Sequence, residues 1–77
     1  MIKATLRYTN CLQDGRNVFA VLAGYNIPIL KSRRGNSMYP KIVALFNDQT
    51  ELSTVLGSLQ KHCCYEVRIV KSKFVKE

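Results

Sequence analysis

Between Asp48 and Cys63 the chain repeats apolar residues at helical spacing. Leu52, Val55, Leu56 and Leu59 fall at i, i+3, i+4 and i+7, one stripe of a helix, while Glu51, Thr54, Ser58 and Lys61 lie mostly on the other side. Asp48 ahead of the stripe, with Glu51 three positions on, predicts an N-cap with a reciprocal carboxylate. A helix with one apolar stripe needs a flat apolar surface to cover, and the neighbouring segments have the period of strands.

Residues 2–12 alternate. Ile2, Ala4, Leu6, Tyr8 and Leu12 share one side, and Lys3, Thr5, Arg7, Thr9 and Cys11 share the other, the pattern of a half-buried strand. Asp14-Gly15 follows, a strong local signal for a two-residue hairpin turn. Pairing Gln13 with Arg16 would put Phe19 and Val21 on the core face beside Tyr8 and Leu6, and would leave Val18, Ala20 and Leu22 on the far face. The same residues also satisfy helical spacing, and Gly24 would end such a helix. The hairpin is the leading expectation and the helix its alternative.

Further along, Gly24-Tyr25-Asn26 reads as a turn. Ile27-Pro28-Ile29-Leu30-Lys31 reads as a short extended piece at a sheet edge, because Pro28 lacks the N–H of a central strand. Lys31 to Ser37 is a polar, basic connection. Pro40 to Phe46 carries the continuous apolar run of a central strand, and 64–70 alternates again, with Tyr65, Val67 and Ile69 on one side. The expected fold is therefore α+β: a small antiparallel or mixed sheet of four to five strands with one main helix packed on one face. The alternative, with residues 15–23 helical, is the β-α-β-β-α-β ferredoxin-like order. Residues 1–77 form one domain, and the basic tail 72–77 either extends the last strand or frays.

Composition limits what such a domain does. A chain of 77 residues buries only about 60% of its unfolded surface, so a large catalytic cleft would compete with the core. No run approaches the ~18 apolar residues of a membrane span, and the alternating start does not resemble a secretory signal. Cys11, Cys63 and Cys64 are odd in number and two are adjacent, which favours free thiols and a cytoplasmic setting. Twelve Lys and Arg against five Asp and Glu give a net charge of +7, which suits a polyanionic or acidic partner.

Catalytic and metal chemistry find little support. His62-Cys63-Cys64 lacks the spacing that wraps a chain around zinc, and Asp14, Asp48, Glu51, Glu66 and Glu77 fall in separate contexts, so no acid/base pair is implied. Neither an enzyme nor a cofactor is expected.

Two binding readings remain. The leading one is a nucleic-acid-binding module that contacts phosphates through the basic loop Lys31, Arg33 and Arg34, joined by Arg68, Lys71 and Lys73; if the first and last strands are neighbours, Lys3 and Arg7 would form one wider field with Arg68, Lys71 and Lys73. Against base reading, the strand aromatics Tyr8, Phe19 and Tyr65 all fall on the helix-covered side. The alternative is a protein-binding regulator or inhibitor, of the kind a virus or mobile element encodes. It would act through an apolar and basic surface that includes Tyr25, Ile27, Ile29 and Tyr39. A homodimer covering Val18, Ala20 and Leu22 would be a further use of surplus apolar surface.

Overall fold

The computed structural model describes residues 1–33 and 38–76. Six elements follow in order: β1 (Ile2–Arg7), α1 (Leu12–Gly24), β2 (Ile29–Arg33), β3 (Lys41–Phe46), α2 (Gln49–His62) and β4 (Arg68–Phe74). The sheet order is β2-β3-β1-β4 and every neighbouring pair is antiparallel. Two β-α-β crossovers thus interlock, each stepping over one strand, in a ferredoxin-like topology.

This corrects the leading expectation of a single main helix. Residues 12–24 form α1 instead of the second arm of a hairpin, and Asp14-Gly15 lies in its first turn, where Gly15 N–H donates to Cys11 O at 2.9 Å. Val18 and Leu22, placed one helical turn apart, are fully buried, and Phe19 and Val21 pack partly against the same core. In a hairpin, Val18 and Leu22 would stand on the outer face. Burying two such side chains is worth about 3–6 kcal/mol and decides between the two local structures. The surplus apolar face that motivated a homodimer therefore does not exist at Val18 and Leu22.

The second helix keeps its expected form. Glu51 N–H donates to Asp48 Oδ1 at 2.8 Å, and the Glu51 carboxylate accepts the N–H of Asn47 at 2.8 Å, one residue before the expected partner. Leu52, Val55 and Leu59 are buried and Leu56 is partly so. The core lies between the two helices and the inward rows of β1 (Ile2, Ala4, Leu6) and β3 (Ile42, Ala44, Phe46), with Tyr8, Ile27 and Val67 closing it.

The last strand begins at Arg68, later than expected. Gln60 explains the delay: its Oε1 accepts the Val67 N–H at 2.9 Å and its Nε2 donates to Val67 O, so Val67 bonds to α2 instead of to a strand. Tyr65 is accordingly exposed and off the core face. Residues 72–74 belong to β4, with Lys73 opposite Lys3 and Phe74 opposite Ile2, and Val75 N–H continues the pairing to Met1 O at 2.9 Å. Among the described residues no helix is long and apolar enough to cross a membrane.

Candidate functional site

Both helices cover one side of the sheet, and the other side carries only its own side chains. On β1 the inward residues Ile2, Ala4 and Leu6 are buried, which turns Lys3, Thr5 and Arg7 outward. Residues paired across an antiparallel ladder share a face, so the register extends this outward set over all four strands. Lys41, Val43 and Leu45 on β3 face out opposite Arg7, Thr5 and Lys3. Lys31 and Arg33 on β2 stand opposite Val43 and Lys41. On β4, Lys73, Lys71 and Arg68 stand opposite Lys3, Thr5 and Arg7, with a bulge at Val70 where the register shifts.

The outward face thus gathers Lys3, Arg7, Lys31, Arg33, Lys41, Arg68, Lys71 and Lys73, eight of the twelve Lys and Arg residues of the chain. No Asp or Glu occupies an outward strand position among the described residues. One row, Arg33–Lys41–Arg7–Arg68, sets a cation on each of the four strands. Two of its members have local company: the Arg7 guanidinium stacks 4.7 Å from the Tyr39 ring centre, and Arg68 pairs with Glu66, whose hydrogen bond and charge hold it more firmly protonated.

The neighbouring rows enclose a shallow depression of about 250 Å³. Thr5 and Val43, on the two central strands, floor it, and Lys3, Lys31, Lys71 and Lys73 surround it. Apolar side chains lie around the face: Leu45 is half-buried on it, Leu30 is exposed at the β2 edge, and Met38 and Tyr39 stand exposed beside the Arg7 end, whereas Ile29, opposite the inward Ala44, belongs to the helix side of that edge.

Lys31 and Arg33 therefore sit in a strand and not in a loop, and Arg34 lies outside the described residues. Arg68, Lys71 and Lys73 join them on one face, because β4 pairs with β1. Lys41 belongs to the same field and escaped the sequence reading. Its signal was the alternation of residues 41–46, hidden by a continuous apolar run that suggested a central strand covered on one or both faces. Of the apolar candidates, Tyr25, Ile29 and Tyr39 are exposed, but Ile27 is 6% exposed and belongs to the core, since its N–H is tied to Leu22 O at 2.9 Å.

The cysteines gather at the opposite layer, where α1 begins and α2 ends. Asp14, wholly buried, accepts the N–H groups of Cys64 at 2.8 Å and Tyr65 at 3.0 Å. Burial, with the Asp14 charge adding to it, pushes the Cys63 thiol up to about 11, and the Asp14 carboxylate also raises Cys64. Thiols held in their neutral form are poor nucleophiles and poor metal ligands. Among the described residues no group of three or more His, Cys, Asp or Glu is placed to hold a metal.

Comparison with known proteins adds no relative: no family model matches the chain, and neither a curated protein nor a solved structure is significantly similar to it.

Proposed function

We propose that this chain is a non-enzymatic binding module that docks on an acidic surface of a partner protein, as a regulator or inhibitor. The observation carrying this reading is a sheet face without helices that combines eight cations with aliphatic surface. Val43 and Leu45 occupy outward positions on a central strand, and Leu30 and Tyr39 add exposed apolar surface at its edges. Aliphatic and aromatic contacts rimmed by charge suit protein recognition, where the apolar centre supplies affinity and the rim steers encounter. The outward positions of β1 and β3 are Lys3, Thr5, Arg7, Lys41, Val43 and Leu45, so an unpaired base finds no aromatic ring on the central strands to stack upon.

A second reading, contact with nucleic-acid phosphates, is favoured by the Arg33–Lys41–Arg7–Arg68 row, which suits a backbone crossing the strands. The two readings separate in one experiment. Tagged protein is incubated with extract, half of it nuclease-treated, and washed at low and high salt. Protein docking expects one stoichiometric protein that survives nuclease and salt and is lost with both Leu45→Glu and Arg33→Glu. Recovery of nucleic acid alone, released by salt and indifferent to Leu45→Glu, would replace the first reading with the second.

A further inference from the structure

The four-lysine depression has features that a general docking face does not require. Lys3 and Lys73 stand directly opposite each other on β1 and β4, a like-charge cross-strand pair that destabilises the sheet when nothing lies between them. Lys31 and Lys71 mark the ends of the adjoining row Lys31–Val43–Thr5–Lys71, three strand spacings or about 14 Å apart. That distance lets two extended lysine side chains lean inward over Thr5 and Val43 from opposite sides. Among the described residues the only ion pair is Arg68 with Glu66, so none of the four ammonium groups is neutralised by a carboxylate. The Thr5 hydroxyl adds a donor at the floor.

We infer that this depression is a binding site for a compact polyphosphate, either free or as the phosphate chain of a nucleotide. Size and charge both point that way. At about 250 Å³ the space lies below the roughly 300–1,000 Å³ of pockets that enclose drug-sized ligands, which suits a chain of phosphates better than an entire nucleoside. Four positive charges match the three to five negative charges of a di- or triphosphate. Lysine binds phosphate as a point charge with rotatable donors, so a ring of lysines tolerates several phosphate orientations. A bound polyphosphate also relieves the Lys3–Lys73 repulsion, which makes the ligand stabilising to the fold. This site goes beyond protein docking and requires no partner protein.

The purified chain is tested by calorimetric titration and thermal unfolding with tripolyphosphate, with ATP in the presence of a chelator, and with adenosine. Ionic strength is matched throughout with sodium chloride, and sodium sulfate serves as a divalent control. We expect saturable one-to-one binding of tripolyphosphate with a raised melting temperature, and none with adenosine. Binding of ATP as tightly as tripolyphosphate would identify a nucleotide's phosphate chain as an acceptable source, and much weaker ATP binding would restrict the site to the free polyanion. Lys31→Gln and Lys71→Gln should each weaken binding about tenfold. Neither variant endangers folding, since each removes a surface charge from a crowded field, and circular dichroism checks this directly. An equal rise in melting temperature with sulfate or chloride would show charge screening alone and overturn the site, as would unchanged affinity in both variants. A single-stranded oligonucleotide that binds at least as tightly per phosphate would make the depression part of a nucleic-acid track and also overturn it. Because no partner is present, failure here leaves the docking reading standing, and failure of the pull-down leaves this site standing.

Discussion

The Asp14 carboxylate receives the backbone N–H of Cys64 across fifty residues of chain, and a second N–H, from Tyr65, reaches its other oxygen. A fully buried carboxylate in the first turn of one helix thereby holds the chain as it leaves the other. Asp14→Ala strands two N–H donors and should cost about 3 kcal/mol, measured by urea unfolding. Asp14→Asn should recover only part of this, because its amide keeps one acceptor and turns its own N–H₂ toward the second donor.

The same contact explains why α1 was hard to read. Asp14-Gly15 carries a local hairpin preference, and residues 16–23 fit either period. The groups that decide the outcome, the N–H donors at Cys64 and Tyr65 and the core around Val18 and Leu22, are distant in sequence. By contrast α2 was legible, since its stripe and its Asp48–Glu51 cap are both local. The inward row of β1 was legible by alternation, whereas the continuous apolar run of β3 marked a central strand without showing which of its sides faces the core. Lys3 and Arg7 share a face by period two, but Arg68 and Lys71 are three residues apart, and only the bulge at Val70, which leaves no mark in the sequence, brings Lys71 and Lys73 to the face of Arg68. Lys31 and Arg33 were misplaced into a loop because a short, fully exposed edge strand has the composition of one.

Gln60 and Val67 make a second clamp. Gln60→Ala frees both the N–H and the C=O of Val67 beside the core, with an expected cost of about 2 kcal/mol. Amide hydrogen exchange offers a local check: Val67 should lose protection while Leu59 keeps most of its own.

Gly57 sits on the exposed side of α2, and a Cβ there would meet nothing within 4 Å. Gly57→Ala should therefore stabilise the protein by about 0.5–1 kcal/mol, through reduced freedom of the unfolded chain. A lower melting temperature would show that something covers this position.

The raised Cys63 thiol has a signed consequence for alkaline stability. The folded chain keeps this proton up to about 11, whereas the unfolded chain releases it near 9.0. The unfolded state binds fewer protons in that window, so stability is unaffected by Cys63 below it and falls as pH rises from about 9 to about 11. Urea unfolding at about pH 8 and about pH 10 should show a larger loss for the natural chain than for Cys63→Ala. Alkylation of Cys63 by iodoacetamide should still be accelerating at about pH 10, where an ordinary thiol has levelled off.

The two-layer arrangement also makes the molecule strongly dipolar. Asp14, Asp48 and Glu51 lie with the helices beside only Arg16 and Lys61, whereas the outward face of the sheet carries eight cations, of which Arg68 alone pairs with a carboxylate, that of Glu66, among the described residues. In the field of a negatively charged body such a molecule experiences a torque as well as a pull. It tumbles into alignment before contact and arrives sheet first, so a larger share of its collisions are productive than its size alone would allow.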